Sequence, residues 1–291
     1  MKIMESDLWF HYLGKFVGEN EWNGACNAGF RMEHDLHHIP KGAFVFPRYT
    51  IQSYNYQQYI TTLNTDFKTD VSVYDFSIAN FIYSWYPFLE KYTFKTYFTK
   101  DIPEGQYVVK GLEKAKKDDW TNSCFAPTRA RALEIADEKS CFREYVPLKS
   151  YGIHEKGIPI SKEYRLFVYN NKVIYSNFYW ATYRDILPIE AQVMPSHEDW
   201  EFNSLVCDVK KILSNLNVMF YTIDIAQDIN DKWWLVEINN GHRSGIPYFN
   251  QAIDYEYFYR KLYEVVQDGQ RDNQRRYHGF AKTRSGPKRS N

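Results

Sequence analysis

The sequence predicts an α/β (α+β) protein, and three observations carry that assignment. Short apolar runs alternate with helix-spaced segments over residues 1–95, the chain turns strand-rich from Thr93, and two apolar strands near the end form a hairpin bearing Asp224, Glu237 and Asn239. At 291 residues the chain is long enough for one large domain or two modest ones with a real hydrophobic core.

The elements follow in order. Ala43 to Phe46 reads as a short buried strand ended by Pro47-Arg48, Tyr54 to Leu63 as a helix, Val71 to Tyr74 as a second short strand, and Ser77 to Lys91 as a helix with Phe81, Trp85 and Phe88 facing inward. These make a small α/β unit over residues 1–95. Gln106 to Lys110 reads as a strand ending in a lysine, and Pro127 to Glu138 as a helix with proline tolerated in its first turn. Cys141 to Val146, Ser161 to Tyr169 and Lys172 to Trp180 read as strands, and His197 to Leu213 as a helix. An amphipathic helix over Asp254 to Gln267 closes the larger domain at 96–268, and the polar, basic stretch 269–291 reads as a flexible tail, with phosphate or RNA binding as the alternative.

The hairpin pairs Phe220 to Ala226 with Trp233 to Gly241 through the polar Gln227 to Lys232 connection. Alternation puts Glu237 and Asn239 on one face and Trp234, Val236 and Ile238 on the other. Carboxylates on apolar strands are costly out of water, and a bound cation would explain them. Mg²⁺ takes about six oxygens near ~2.1 Å, with only one or two protein carboxylates and the rest from water and phosphate. The plain alternative is the solvated face of an edge hairpin.

Composition excludes several classes. Lysine plus arginine and aspartate plus glutamate both number 36, so no global field argues for nucleic acid or a membrane surface. Cys26, Cys124, Cys141 and Cys207 have no short paired spacing, against a zinc knuckle or a disulfide framework. No apolar run approaches ~18 residues, and the N-terminal apolar stretch is interrupted by charge, so neither a span nor a signal peptide is expected and a reducing cytoplasm is the expected location. The 25 Tyr, 20 Phe and 8 Trp are spread evenly without a basic stripe, which fits core packing better than base stacking.

Several polar residues could carry chemistry. Lys110 ends a strand, with Lys114, Lys116 and Lys117 just beyond it, and lysine there suits phosphate oxygens. In Arg143 to Leu148 a strand runs into Pro147, leaving backbone groups free to read an adenine edge, as any edge strand would. Glu163 and Arg165 share a strand face; an intrastrand ion pair is the plain explanation, and an arginine on a transferring phosphoryl group the sharper one. Arg184 is a second guanidinium of that kind. His34, His37 and His38 have ligand-like spacing, but no further ligand lies nearby in sequence, and a surface cluster is the simpler reading.

The order of a strand-end lysine, Arg143-Glu144-Tyr145-Val146-Pro147-Leu148, Glu163-Tyr164-Arg165, the Asp224 strand and Leu235-Val236-Glu237-Ile238-Asn239 resembles the ATP-grasp superfamily. Lys110 with its trailing lysines, Glu163-Tyr164-Arg165 and Tyr179-Trp180 resemble the clade named for one arginine and two lysines. The likeness covers roughly Lys95 to Gly241, and the preceding unit is similar to the small domain that usually precedes an ATP-grasp module of two α+β subdomains. It implies ATP and Mg²⁺ as cofactors, with Asp224, Glu237 and Asn239 on the metal. It further implies Lys110 on the nucleotide phosphates, Glu144, Tyr145 and Val146 at adenine, Glu163 beside the nucleotide and Arg165 on the γ-phosphate. Of the trailing lysines Lys114 fits the second family position best, with Lys117 next. The chain departs from many relatives in having one glycine in residues 111–120, where a glycine-rich loop usually covers the phosphates.

The activity so implied is carboxylate-amine ligation through an acyl phosphate, with small-molecule or peptide carboxylate and amine substrates, no membrane partner, and no nucleic acid beyond the basic tail. A non-catalytic nucleotide sensor or adaptor is the alternative; nucleotidyl transfer ranks last, because no lysine-x-aspartate-glycine arrangement is present. The small unit and loops would choose the acceptor, with Arg48, Tyr49 and Trp22 to Phe30 as candidates. Dimers are common in related folds, and a homodimer is kept open.

Overall fold

Strand β1 (Leu8–Tyr12) pairs in parallel with β2 (Arg31–Glu33) on one side and β3 (Phe44–Arg48) on the other. Parallel neighbours need a crossover, and helix α1 (Glu19–Ala28) supplies it between the first two strands. The computed structural model describes the backbone of residues 8–13, 17–113 and 119–283, and their side chains apart from those of 184, 186, 191, 192 and 270–283. Helix α1 ends on Gly29, whose φ of 105° lies in the left-handed region that glycine enters without cost.

Helices α2 (Tyr56–Asp66), α3 (Val73–Asn80) and α4 (Ile82–Leu89) follow. Two expectations fail here. The strand read at Val71 to Tyr74 is instead the start of α3, because Ser72 caps that helix, its Oγ accepting from the Asp75 amide at 3.0 Å. The single helix read over Ser77 to Lys91 is broken at Phe81, whose backbone is extended, and α4 buries Ile82, Trp85, Tyr86 and Leu89, a face that leaves Phe88 47% exposed.

An antiparallel sheet comes next. Strands β4 (Thr96–Tyr97), β5 (Tyr107–Gly111), β6 (Phe125–Ala126) and β7 (Ser140–Glu144) run in the order β4-β7-β5-β6, with helix α5 (Arg129–Ile135) beside them. A small hairpin, β8 (Ser150–Ile153) with β9 (Pro159–Ser161), leads into the larger antiparallel sheet. Its strands are β10 (Glu163–Tyr169), β11 (Lys172–Phe178), β12 (Phe220–Gln227) and β13 (Trp233–Asn240), in the order β11-β10-β12-β13, and helix α6 (Trp200–Asn215) lies between β11 and β12 in sequence. Asn170 and Asn171 both have positive φ at the β10–β11 turn, the backbone that a two-residue hairpin requires.

The faces of β10 explain where the core sits. Tyr164, Leu166 and Val168 point into a cluster with Trp85, Phe202, Val209, Ile223 and Leu235. Phe167 and Tyr169 point the other way, into a second cluster with Phe10, Phe46, Phe220, Phe258 and Tyr259. The sheet therefore carries an apolar cluster on each side at one end, and Glu163 and Arg165, themselves buried, lie on the second face beyond its cluster. Helix α7 (Gln251–Thr283) closes the second cluster and packs on α1 so tightly that a Cβ on Gly24 would meet the Tyr255 backbone at 2.9 Å. The helix also runs past the expected end at Gln267 and through much of the stretch read as a tail. Gln267, Gln270, Arg271, Gln274, Arg275 and Arg276 are good helix formers and propagate a helix that packing upstream has already nucleated.

Candidate functional site

Strand β5 of the smaller sheet ends against the polar end of the larger sheet, where Lys110 Nζ lies 2.9 Å from Glu237 Oε1. Between the sheets opens a cavity of about 1040 Å³, counted out to open solvent. Its apolar part is built from Phe94, Val108, Trp120, Leu148, Ile158 and Trp180, and its polar part includes Lys110, Arg143, Glu163 and Glu237. An apolar slot with a few convergent charges is the usual form of a small-molecule site.

A bulge in β13 aims the charged end. Asp224 on β12 pairs with Glu237, but the next residue, Ile225, pairs with Leu235, so Val236 is the extra residue. The alternation read from sequence is corrected accordingly. Glu237 and Asn239 do share a face with Ile238 opposite, yet Trp233 and Leu235, rather than Trp234 and Val236, join the core. Val236 turns into the cavity beside Glu237, and Trp234 donates its indole N–H to Asp228 at 2.9 Å.

Arg165 sits opposite Asp224 on the neighbouring strand and grips it with a two-pronged pair, Nε to Oδ1 at 2.7 Å and Nη2 to Oδ2 at 2.6 Å. The intrastrand pairing of Glu163 with Arg165 therefore gives way to a cross-strand one, since residues opposite each other in a sheet approach more closely than those two apart along a strand. Glu163 instead accepts from the Ser161 hydroxyl at 2.9 Å. Burial opposes the charge on Arg165, but the Asp224 carboxylate outweighs it and holds the guanidinium pKa above its ordinary value. Arg165 Nη1 also donates to the Gly245 carbonyl at 3.1 Å, and the guanidinium lies 4.7 Å from the Tyr179 ring centre.

Lys110, Glu144, Tyr145, Val146, Glu163 and Glu237 line the one cavity, and Arg165, Asp224 and Asn239 adjoin it on the same face. Lys114 and Lys117 lie outside the described residues. Arg184 belongs to the short helical segment Ala181–Ile186 after Trp180, and its side chain is outside the described ones. Arg143 is a site residue that sequence pattern alone does not single out. It is 2% exposed and braces the cavity floor, donating to the Val236 carbonyl at 2.6 Å and to Thr93 Oγ1 at 2.5 Å. Its place directly before Glu144 in the strand-to-proline motif was the available signal. Arg48 and Tyr49, read as acceptor candidates, are locked away: Arg48 is fully buried and bonded to Glu21, Tyr49, Tyr259 and the Gly241 carbonyl.

The donor chemistry suits magnesium. Two carboxylates and an amide on adjacent strands are hard donors in the number such a site takes from protein. Both Asp224 oxygens already accept from Arg165, and Oδ2 also from Asn239 Nδ2 at 3.4 Å, so the second lone pair of Oδ1 is the one left for a cation. Among the described residues no three His, Cys, Asp or Glu side chains form a metal-holding group by themselves, so the amide of Asn239 and non-protein oxygens would complete the shell.

Comparisons with known proteins give the family and the fold. Residues 99–262, more than half of the chain, match the family described as ATP-grasp domain, R2K clade family 3. The fold is similar to a RimK domain ATP-grasp protein from Sphaerobacter thermophilus at TM-score 0.57 and 10% identity, covering 89% of this chain and 99% of that one. It is similar to D-cycloserine synthetase DcsG at TM-score 0.56 and 9% identity, with 89% and 99% covered. It is also similar to the ATP-grasp ligase PsnB, solved with a phosphomimetic variant of a minimal precursor, Mg and ADP, at TM-score 0.51 and 10% identity, with 90% and 98% covered. A search of curated proteins returns no match. ATP with Mg²⁺ is the family's cofactor pair. On the family match over more than half of its length, the chain belongs to the R2K clade of the ATP-grasp superfamily.

Proposed function

We propose that the chain is an ATP-dependent carboxylate-amine ligase. One observation carries the reading: the apolar cavity that would take adenine ends on a face where Lys110, Arg165, Asp224, Glu237 and Asn239 converge. The backbone of Glu144 to Val146 would meet the adenine edge, Lys110 the phosphates, and Arg165 the γ-phosphate, with Lys114, Lys117 and Arg184 as further cations. Asp224, Glu237 and Asn239 would hold Mg²⁺, which when bound neutralises phosphate charge.

A substrate carboxylate oxygen attacks the γ-phosphorus, the bond to the bridging oxygen breaks, and ADP leaves. An amine then attacks the carbonyl carbon of the acyl phosphate; the C–N bond forms, phosphate departs and the amine loses a proton. The protein positions the reactants and spreads charge, which is most of what such transfers require. Substrates with peptide character are in keeping with PsnB, whose structure holds a precursor.

The test is Glu237→Ala assayed for ADP formation over amino acids, peptides and polyamines. Loss of turnover with folding intact is expected. Full ATP consumption by the variant would sink the assignment, and saturable Mg·ADP binding without turnover by the unaltered protein would assign a nucleotide sensor instead.

A further inference from the structure

The loop after β13 carries a guanidinium that the chemistry above does not use. Arg243 lies four residues beyond Asn239 and two before Gly245, whose carbonyl accepts from Arg165. Its Nη1 donates to Ser53 Oγ and to Asn80 Oδ1, each at 2.7 Å, so two neutral groups of the first 95 residues set its orientation. The same corner is tied to the lysine strand, because the Ile82 amide donates to the Leu112 carbonyl at 3.1 Å.

That arrangement leaves half of a fork open. Among the described residues neither Nε nor Nη2 of Arg243 is bonded to an acceptor, and neither is buried without one, so this edge faces accessible space. Burial pushes the Arg243 pKa down, and the field of Glu113 only partly offsets it. No ion pair with a described carboxylate forms. The Asn80 amide points its oxygen at Arg243, and its Nδ2 is buried with no partner among the described residues. A clamp between the two parts of the chain needs only the Nη1 contacts, and a half-desolvated cation without a counter-anion is costly for that purpose alone.

We propose that Arg243, held by Ser53 and Asn80, anchors a carboxylate of the substrate through its Nε and Nη2 edge. A planar fork matches the two oxygens of a carboxylate. The anchored group is not the one phosphorylated, since gripping both oxygens lowers their nucleophilicity. The substrate class is therefore an amino acid or peptide that keeps a free carboxylate through the reaction. The Phe76 ring, 5.8 Å from the guanidinium carbon, flanks the site. This inference rests on the ligase reading.

The experiment is a side-chain NMR titration of the full chain with glycylglycine, glycylglycinamide and inorganic phosphate, each with and without Mg·ADP. The Arg243 Nε–H resonance is assigned by its loss in Arg243→Lys. A saturable shift with glycylglycine, at an affinity on the order of millimolar, is expected, with binding at least about tenfold weaker for the amide. Arg243→Gln should lose glycylglycine binding and retain Mg·ADP binding; should it fail to fold, Arg243→Lys, which keeps the charge without the fork, serves instead. Equal shifts with dipeptide and amide, tighter binding of phosphate, or unchanged dipeptide binding in the variants would overturn the proposal. Absence of Mg·ADP binding would instead count against the ligase reading, and the titration without nucleotide is read independently of it.

Discussion

Lys110 and Glu237 join the two sheets across the cavity, Nζ to Oε1 at 2.9 Å, and neither side chain is more than 18% exposed. A cation at the end of a smaller-sheet strand and an anion on the larger sheet's last strand therefore hold the cavity walls in register. They also stand where phosphate and a metal would take over the same charges. Exchange of one ionic partner for another at constant geometry is the physical content of the proposed site.

Lys110→Met tests that exchange. Charge-assisted hydrogen bonds contribute about 1.5–3 kcal/mol, so Mg·ADP affinity should fall roughly 10- to 100-fold. Isothermal titration of the variant measures it. Unchanged affinity would mean that the lysine only braces the two sheets.

The Arg165–Asp224 pair predicts an asymmetry between two substitutions. Asp224→Asn removes the carboxylate and leaves a buried guanidinium without its partner, which should cost about 3–5 kcal/mol of folding stability. Arg165→Lys keeps a charge on the same strand but cannot reproduce the two-pronged grip, so a smaller loss is expected. Urea unfolding of both variants gives the comparison, and equal losses would contradict it.

His11 predicts an acid limb in stability. Burial pushes its pKa down to about 4, partly offset by the His34 carbonyl, and its Nδ1 is 2.5 Å from the Tyr59 hydroxyl. A folded pKa below the unfolded value means that the ring's contribution is complete above about pH 6.5 and is lost as pH falls through 6.5 towards 4. The loss is on the order of 3 kcal/mol. Unfolding measured at about pH 7.5 and pH 4.5 should show a smaller difference for His11→Gln than for the unaltered chain. An equal difference in both would exclude this residue as the source.

Much of the site was legible because strand chemistry is local. The hairpin of Phe220–Gln227 with Trp233–Asn240 and its polar connection appear as expected, and so does the split of Glu163 and Arg165 from Tyr164, Leu166 and Val168. The Ser72 cap was also written in the chain, since serine three residues before Asp75 is a helix-start signal. Strand-like Val71 and Val73 masked it.

By itself, the sequence determined which residue types lie on which strand and in what order, because alternation and capping depend on neighbours a few positions apart. Only the tertiary structure decided the distant partners: Arg165 with Asp224, Lys110 with Glu237, and Arg243 with Ser53 and Asn80. Those pairings depend on sheet order, on the bulge at Val236 and on how the first 95 residues pack against the rest. They join residues 59 to 190 positions apart, a separation at which pattern within a strand carries no information.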